Sequence, residues 1–540
     1  MGRLPHNFGR GLPLLQYLVP GSLAALLGLQ AGLSLRWRIE HDTPLLHYAA
    51  FLMDAHGRFP YRDIFETSMP GAFAFHYAVV KLFGYGDAVF RLVDLALLGL
   101  LLGVTYAFMR RFGRAVGLAA AATFGLLYLS KGQTMTLQRD YLGTIPVACA
   151  LLCIPRGTGK AAGPARFAAA GALFGAAALL KPHLALGLPF VAGALLAFRW
   201  EARARSWPDF FKCAALCGLG LLLPLLLAAL WLYANSALAG FASIFFNYLP
   251  LHVALTGAQE ELTGFDRAFY LVEQTLRFGG YGPVLLCALF AGYHFAAQAT
   301  QARATVTSYA AVALCAAAYL VYPALGGKFW DYHFMPTAYF LTLAASLCFF
   351  APTPAPRADA ARALRTLLPV AAFGAAVCLQ LNLPRYCVDT FKTLRPGYVA
   401  VPPKAGRVDE IAGVLRGRLG PSDTVQPLDW GHGVIHAMLL ARAPLATEFL
   451  YDYHFYHHTS SPLIQGLRRE FLAQLEQSAP RFIIETKADK PWFRAPEAPG
   501  GFPELYRYVE AHYAVAAEGH GYVIYERRAT GNSPTTARAR

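Results

Sequence analysis

Long apolar stretches, separated by short polar connections, dominate the chain. The first runs from Leu12 to Leu35 and is long enough to cross about 30 Å of hydrocarbon. Together with the stretches that follow, it predicts about eleven membrane-spanning helices, an expectation that rests on length and apolar content alone. The later stretches cover residues 88–109, 115–130, 141–154, 167–180, 184–198, 210–233, 281–297, 306–323, 334–350 and 367–382.

The first two spans are separated by a polar segment, residues 36–87, in which charges and histidines are frequent. Residues 36–70 are expected to form a polar loop on the membrane surface. Residues 71–84 are apolar but short and carry His76 and Lys81, so they predict a helix lying in the outer interface. This first outer loop is the natural place to look for a functional site, because its carboxylates follow a spanning helix directly.

Composition and charge agree with a membrane protein. The chain is 56% hydrophobic and only 15% charged, with a mean hydropathy of +0.38, which excludes an ordinary soluble protein. The formal net charge of +15 falls in short basic clusters between the apolar stretches, such as the arginines at 110, 111 and 114. This is the pattern of cytoplasmic loops and not of a nucleic-acid surface. It predicts a cytoplasmic N-terminus and, with an odd number of spans, a C-terminus on the outer face.

The composition changes near residue 383. Residues 408–419 and 462–479 have the spacing of amphipathic helices, and short strands are predicted at 424–430, 481–487 and 521–528. We therefore expect a membrane bundle over residues 1–382, an extracytoplasmic α/β domain over 383–528 and a disordered tail over 529–540.

Two carboxylates, Glu40 and Asp42, follow the first span directly. At the outer end of a helix they would face any cavity that the bundle opens outward, where a carboxylate can deprotonate an acceptor hydroxyl or amine. The alternative is a solvated pair neutralised by Arg36 or Arg38. The sequence leaves both interpretations open, and Asp42 and Glu40 are the candidate catalytic residues.

A second charged group follows in the same loop, consisting of Arg62, Asp63 and Glu66. Either carboxylate could position an acceptor sugar, and either could instead form a structural ion pair that holds the loop in place.

Basic groups recur at the predicted outer ends of several helices. Two or three cations that converge from different helices can neutralise a phosphate, whereas a single lysine at a helix end is commonly a snorkelling side chain. Lys181 is the strongest of these candidates, because it precedes Pro182 in a break between two apolar stretches. The candidate anion-binding residues are Lys81, Arg139, Lys181, Lys328 and His333.

Metal-binding patterns are weak. The histidines within Tyr451–His458 lack a matching set of carboxylates or cysteines. No metal site and no cofactor are therefore predicted, although Glu40 and Asp42 together leave a divalent ion possible.

Several of these segments, in this order, resemble the GT-C glycosyltransferases that use polyprenyl-phosphate sugars, the group that includes protein O-mannosyltransferases and lipid A aminoarabinose transferases. The resemblance covers roughly residues 30–350 and rests on Asp42 and on five segments. These segments are GRFPYRDIFETSMPGAFAFHYAVVKLFG, FRLVDLALLGLLLG, QRDYLG, LLKPHLALGLP and GGKFWDYHFMPTAYFLTLAAS. One departure is that the loop reads Ser68-Met69-Pro70-Gly71 where the family has two prolines, which leaves the acceptor type and the subfamily open.

The resemblance implies an α-helical polytopic enzyme of a bacterial inner membrane that transfers a sugar, with inversion, on the extracytoplasmic face. Asp42 would be its base or would position the acceptor, and Lys81, Lys181 and Lys328 would hold the lipid phosphate. Its partners would be a polyprenyl-phosphate-linked sugar donor, membrane lipids and a lipid, glycan or protein acceptor, with no nucleic acid. The alternatives are a transporter or flippase of lipid-linked sugars and a polysaccharide polymerase or ligase. A transporter would more often show paired halves with broken helices, and no such symmetry is visible in the sequence.

Overall fold

The computed structural model describes residues 8–157, 161–202, 205–298, 302–350, 360–398, 403–431, 433–486, 490 and 501–529. The basic residue Arg3 and nearly all of the predicted C-terminal tail lie outside these ranges. Most of the described chain is helical up to residue 418, and strands occur only in its C-terminal part.

The N-terminal part is a bundle of helices. Its α-helices are α1 (Phe8–Leu33), α2 (Thr43–His56), α3 (Pro70–Phe83), α4 (Asp87–Met109), α5 (Arg114–Ser130), α6 (Arg139–Leu151), α7 (Pro164–Ala178), α8 (Leu188–Ala202), α9 (Trp207–Ala234), α10 (Leu238–Ser243), α11 (Leu249–Ala254), α12 (Gly264–Leu276), α13 (Gly282–Ala296), α14 (Arg303–Leu320), α15 (Tyr322–Gly326), α16 (Met335–Ala345), α17 (Ala360–Leu381) and α18 (Leu383–Thr393). A π-helical turn, Ile244–Tyr248, joins α10 to α11. Short 3-10 turns occupy Ser34–Arg36, Gln133–Met135, Pro182–Gly187, Phe278–Gly280, Asp331–Phe334 and Ser346–Phe349.

All eleven segments predicted to span the membrane are helical, but they differ in length. Five helices in the described ranges are long and apolar enough to cross a bilayer, and a sixth results if α17 and α18, bent by 57°, are counted as one. The five are Gln16–Arg36, Asp87–Met109, Pro182–Ala202, Trp207–Ala234 and Arg303–Gly326. The chain is thus a multi-pass membrane protein, and the count of eleven spans stays a prediction.

The first outer loop is more ordered than the polar pattern suggests. The expectation of a loop over 36–70 was wrong for Thr43–His56, which form the largely buried helix α2. Pro44 in the first turn and Gly57 (φ 63°) after the last turn mark its two ends. Its apolar residues are interrupted by His47 and Asp54, which hid the helical pattern. The helix predicted at 71–84 is confirmed as α3.

Small residues allow α7 and α9 to pack backbone against backbone. A Cβ atom on Gly171 would lie 2.0 Å from the carbonyl oxygen of Cys217, and one on Gly220 would lie 2.1 Å from that of Ala168. Such close approach through small residues is typical of helix pairs in membranes. The close contact with α9 therefore helps to fix the position of α7 and of the break that follows it.

This contact gives a test of the bundle. We expect Gly220→Val to destabilise the protein by about 1–3 kcal/mol, because the new side chain would overlap the α7 backbone. Gly218→Val, on the same helix, has no atom within 4 Å of the added Cβ and is the matched control. Thermal unfolding in detergent, followed by tryptophan fluorescence, should show a lower midpoint for Gly220→Val alone. Equal midpoints for the two variants would contradict the packing described here.

The C-terminal part forms one mixed sheet of order β1-β2-β4-β3. Its strands are β1 (Val425–Leu428), β2 (Phe482–Thr486), β3 (Tyr513–Gly519) and β4 (Tyr522–Arg527), with helices α19 (Arg407–Arg418), α20 (Gly433–Ala441), α21 (Pro462–Ser478) and α22 (Pro503–His512). Two 3-10 turns, Pro403–Gly406 and Tyr453–Phe455, complete it. β1 and β2 are parallel, and the other two pairs are antiparallel.

Three strands and two helices of this part match the predicted positions within a few residues. β3 was missed because its sequence, YAVAAEG, is rich in alanine and lies at an exposed edge, where alternation of apolar residues is not required. The domain boundaries and the side of the membrane on which this part lies stay predictions.

The C-terminal part packs directly on the first outer loop. The Tyr48 hydroxyl donates to the carbonyl oxygen of Ala443 at 2.7 Å. The backbone N–H of Phe65 donates to the carbonyl oxygen of Glu448 at 2.9 Å. An ion pair of 2.9 Å joins Arg38 to Asp409. Loop residues are therefore covered by the C-terminal part and not by solvent alone.

Candidate active site

Four segments that are distant in sequence meet beside the first outer loop. They are the turn between α1 and α2 with Asp42, the start of α6 with Arg139 and Asp140, the break after α7 with Lys181, and the turn Asp331–Phe334 before α16. A backbone contact joins the break after α7 to α3, since the N–H of Gly71 in α3 donates to the carbonyl oxygen of Leu179 at 2.9 Å. We call the side chains that converge here the carboxylate–cation cluster: Asp42, Arg139, Asp140, Lys181 and His333.

Asp42 is held between two basic groups. Arg139 Nη2 donates to Asp42 Oδ2 at 2.9 Å, and His41 Nδ1 lies 2.9 Å from Asp42 Oδ1. The Asp42 side chain is only 15% exposed, so its charge requires a partner. His41 adopts a left-handed conformation (φ 62°), which is unusual for a residue other than glycine. The backbone is therefore bent at the point that presents Asp42 to Arg139.

Burial and pairing act in opposite directions on Arg139. Burial by itself would lower the pKa of the Arg139 guanidinium, but the Asp42 carboxylate and the other acidic groups around it outweigh burial and raise that pKa. The guanidinium is thus a permanent cation at the centre of the site.

A second ion pair lies beside the first. Lys181 Nζ is 2.9 Å from Asp140 Oδ1 and 3.0 Å from Oδ2, and the Asp140 side chain is fully buried. The Tyr322 hydroxyl donates to the same Asp140 at 2.5 Å. Burial lowers the pKa of the Lys181 ammonium, as does the charge of Arg139, while Asp140 opposes both effects. Lys181 Nζ also lies 5.6 Å from the centre of the Tyr322 ring and 5.8 Å from that of Tyr332.

A chain of hydrogen bonds connects Arg139 to the C-terminal part. Arg139 Nη1 donates to Ser68 Oγ at 2.6 Å, and Ser68 Oγ donates to Glu66 Oε1 at 2.8 Å. The Tyr451 hydroxyl donates to Glu66 Oε2 at 2.7 Å. Glu66 is therefore buried as a link between the loop and the C-terminal part.

His333 completes the cluster as a neutral group. Its side chain is 5% exposed, and burial lowers its pKa well below the ordinary value, helped by the charges of Lys181 and Arg139. The neighbouring Tyr332 ring packs edge-on against His41, 5.4 Å between centres. A neutral imidazole here can donate or accept a hydrogen bond without adding charge.

Other predicted site residues lie elsewhere. Glu40 accepts a hydrogen bond from Gln133 Nε2 at 2.6 Å. Arg62 and Asp63 pair with each other at 2.7 Å, and Asp63 also accepts the backbone N–H of Phe59. The Arg62–Asp63 pair stabilises the turn in which it lies, whereas the Glu40 contact joins the first outer loop to the turn before α6. The named partners of Glu40, Arg62 and Asp63 are therefore outside the carboxylate–cation cluster.

Two predicted cations are also separate from the cluster. Lys81 pairs with Asp54 near the end of α3, about 15 Å along the helix from the Gly71 end that contacts Leu179. Lys328 is buried and donates to the carbonyl oxygen of Thr256 at 3.3 Å. Of the five predicted anion-binding groups, the structure therefore brings together Arg139, Lys181 and His333.

Sequence reasoning missed Asp140, His41, Ser68, Tyr322 and Tyr451 as site residues. Asp140 could have been found, because it adjoins Arg139 at a helix start, where a carboxylate is favoured by the helix dipole. Tyr322 and Tyr451 reach the site only through tertiary contacts and give no local signal. In the described residues, no group of three or more His, Cys, Asp or Glu side chains is arranged to hold a metal ion.

Comparison with known proteins identifies the fold. No protein-family model matches the chain, and no curated protein matches it in sequence. Among solved structures, ArnT from Cupriavidus metallidurans bound to undecaprenyl phosphate is 16% identical with a TM-score of 0.56, over 96% of this chain and 99% of that one. ArnT from the same organism in the apo state is 16% identical with a TM-score of 0.55, over 95% of this chain and 98% of that one. The archaeal oligosaccharyltransferase AglB from Archaeoglobus fulgidus is 14% identical with a TM-score of 0.49, over 96% of this chain and 75% of that one. The chain therefore has the GT-C fold of ArnT.

Proposed function

We propose that this multi-pass membrane protein with the GT-C fold is a glycosyltransferase that moves a sugar from a polyprenyl-phosphate donor to an acceptor on the extracytoplasmic face. The observation that carries the proposal is the pairing of a largely buried carboxylate, Asp42, with the Arg139 guanidinium at 2.9 Å, next to the buried Lys181–Asp140 pair. The undecaprenyl phosphate bound by the structural neighbour ArnT supports the choice of donor.

The reaction is a single displacement with inversion. The acceptor O–H or N–H donates its proton to the Asp42 carboxylate, and the acceptor atom forms a bond to the anomeric carbon. The bond between that carbon and the phosphate oxygen breaks, and its electron pair leaves with the lipid phosphate. Asp42 ends protonated, and the lipid phosphate ends with one additional negative charge.

Charge balance explains why the cations are paired before reaction. Two cations, Arg139 and Lys181, face two carboxylates, Asp42 and Asp140, so the resting cluster is close to neutral. Once Asp42 accepts a proton, Arg139 is no longer compensated and can stabilise the phosphate as its charge develops. We assign Arg139, Lys181 and His333 to the lipid phosphate, with His333 as a neutral hydrogen-bonding group.

The reaction uses no cofactor, since the chain supplies both the base and the cations. The transferred group is a hexosyl or pentosyl residue, and the acceptor is a lipid, a glycan or a protein. The protein lies in a bacterial inner membrane, with its N-terminus in the cytoplasm and its C-terminal domain outside.

The test is transfer of a radiolabelled sugar by purified protein in proteoliposomes. We expect transfer to an acceptor from a polyprenyl-monophosphate donor and not from the corresponding diphosphate donor. Protein-free liposomes are the control. Use of diphosphate-linked oligosaccharides would instead indicate a polymerase or ligase. Movement of lipid-linked sugar between leaflets without transfer would indicate a flippase, and either result would overturn the proposal.

A further inference from the structure

We propose that Asp94 is a positioning residue for sugar transfer, which holds the Asp42–Arg139 pair in place through a buried hydrogen-bond network. This inference deepens the proposed function and rests on it only for the identity of the reaction. The residues that carry the argument come from α4, from the end of α5, from the start of α2 and from the turn before α6. We call them the Asp94 network: Thr43, Arg91, Asp94, Tyr128, Thr136 and Leu137.

The centre of the network is an ion pair inside a membrane-spanning helix. Asp94 lies in α4, where its side chain is fully buried, and Arg91 Nη1 donates to Asp94 Oδ2 at 2.5 Å. An ionisable side chain within a span is costly and commonly has a functional role. A buried ion pair adds little stability compared with apolar residues of the same volume. The two charges are therefore better explained by the geometry that they impose on the segments around them.

Asp94 shapes the turn that leads into Arg139. Asp94 Oδ1 accepts the backbone N–H of Leu137 at 3.1 Å and the Tyr128 hydroxyl at 2.5 Å. Leu137 has a φ of 54°, a left-handed conformation that is costly for a residue other than glycine. A hydrogen bond from a backbone N–H to a carboxylate is stronger than one between neutral groups. Asp94 therefore stabilises the bent backbone two residues before Arg139.

The same residue also contacts α6 beyond Arg139. The Tyr141 hydroxyl donates to the carbonyl oxygen of Asp94 at 3.2 Å. The Tyr141 ring stacks on that of Tyr128, with 4.2 Å between ring centres. Contacts to α4 and α5 thus hold α6 both before and after Arg139, its first residue, and fix the place from which the guanidinium extends.

A threonine bridge joins this turn to the segment that carries Asp42. Thr43 follows Asp42 directly, and its Oγ1 donates to the carbonyl oxygen of Thr136 at 2.6 Å. Both threonines are 1% exposed, so water does not compete for the bond. Thr136 lies three residues before Arg139. The bridge therefore spans the two segments whose side chains form the 2.9 Å Asp42–Arg139 pair.

Arg91 connects the network to the end of α1. Its Nε donates to the carbonyl oxygen of Ser34 at 3.0 Å and its Nη2 to Ser34 Oγ at 2.5 Å. Its Nη1 donates to Thr136 Oγ1 at 3.4 Å. Ser34 begins the 3-10 turn from which the chain continues to Asp42. One guanidinium therefore contacts the segments that precede both members of the Asp42–Arg139 pair.

The network acts on transfer through position. In the proposed mechanism, Asp42 accepts the acceptor proton while Arg139 faces the lipid phosphate, so their relative position sets both distances at once. A shift of a reacting group by about 1 Å can lower a rate by about 100-fold. Weakening the network should therefore lower kcat, by less than loss of the base itself.

The first experiment measures sugar transfer by full-length Thr43→Val and Thr43→Ser proteins in proteoliposomes. Thr43→Val keeps the side-chain volume but removes the bridge, so we expect kcat to fall by about 10-fold, the effect of one buried hydrogen bond. Thr43→Ser keeps the hydroxyl and should restore most of the rate. Thr342→Val is the matched control, because Thr342 is also fully buried and its hydroxyl donates within its own helix, to the carbonyl oxygen of Ala338 at 2.7 Å.

Combination with Asp42→Asn separates positioning from general destabilisation. If Thr43 acts through Asp42, Thr43→Val should change the residual rate of Asp42→Asn by less than about twofold, because effects within one functional unit do not add. A substitution that acts only by loosening the fold would lower both rates by the same factor.

Asp94→Asn tests the centre of the network. The amide keeps an acceptor for the Leu137 N–H but removes the charge that pairs with Arg91, so transfer should fall at least as far as in Thr43→Val. Tyr128→Phe is the second variant, because it removes the 2.5 Å bond to Asp94 Oδ1 and leaves both charges in place. It gives the same test if Asp94→Asn is not recovered as a folded protein. Wild-type transfer by Tyr128→Phe or by folded Asp94→Asn would contradict the role of Asp94.

Hydrogen–deuterium exchange tests the network without sugar transfer. We expect faster exchange over residues 133–142 in Thr43→Val than in the wild type, with β1, β2 and β4 unchanged. Unchanged exchange over 133–142, wild-type transfer by Thr43→Val, or an equal loss with and without Asp42→Asn would each overturn the inference. Absence of transfer by the wild type, with faster exchange in Thr43→Val, would overturn only the proposed function.

Discussion

Asp42→Asn is expected to reduce sugar transfer by about 100-fold or more, because an amide cannot accept the proton of the acceptor. The amide oxygen can still accept a hydrogen bond from Arg139, whose Nη2 lies 2.9 Å from the Asp42 carboxylate in the wild type. The geometry of the site is therefore retained while its base is removed. Initial rates of transfer from a polyprenyl-monophosphate donor, measured at saturating donor, report this loss directly.

The matched control for this variant is Asp266→Asn, which removes an exposed carboxylate on α12. It should transfer sugar at the wild-type rate. Gel filtration and thermal unfolding must show that Asp42→Asn is folded, and binding of undecaprenyl phosphate should persist in it. Wild-type transfer by a folded Asp42→Asn protein would remove Asp42 from the role of base.

Lys181→Met is expected to destabilise the protein by about 3–5 kcal/mol, because it leaves the fully buried Asp140 carboxylate without its cation. The Tyr322 hydroxyl remains as a donor but carries no charge. The double variant Asp140→Asn/Lys181→Met should regain most of this stability, since the buried charge is removed with its partner. Its affinity for undecaprenyl phosphate should nevertheless stay low, because the lysine that we assign to the phosphate is absent.

Lys131→Met is the control for the stability measurement. Lys131 pairs with Asp331 at the same 2.9 Å distance, but the Asp331 side chain is 71% exposed, so its loss should cost about 1 kcal/mol or less. Thermal unfolding separates the two cases, and binding titrations separate stability from function. A double variant that recovers both stability and undecaprenyl phosphate affinity would show that Lys181 acts only as the partner of Asp140.

The helical segments were predictable because each is a continuous apolar stretch whose pattern is local. The same local argument located β1, β2 and β4, and it failed for α2 and β3. In α2, His47 and Asp54 interrupt the apolar pattern, and the helix is buried by the C-terminal part of the chain. Burial from a distant segment cannot be recognised in a local pattern.

Within the candidate site, the residue types were more predictable than their grouping. Asp42, Arg139, Lys181 and His333 were named from their positions at helix ends, and the structure places them together. Glu40, Lys81 and Lys328 were named by the same argument, but their named partners are Gln133, Asp54 and the carbonyl oxygen of Thr256. A cation at a helix end can approach a shared site or form a local pair, and the two outcomes are not distinguished by sequence position.

The sequence by itself determined that this is a membrane protein with an ordered series of apolar helices and charged groups at their ends. Its apolar stretches could be stable only in a bilayer, which is a property of composition and length. Only the tertiary structure decided which charges meet. The Asp140–Lys181 pair forms because α6 packs against α7, and the Asp42–Arg139 pair forms because the turn before α2 meets the start of α6. The charge of a buried side chain is balanced by its neighbours in space, and these neighbours come from segments far apart in the chain.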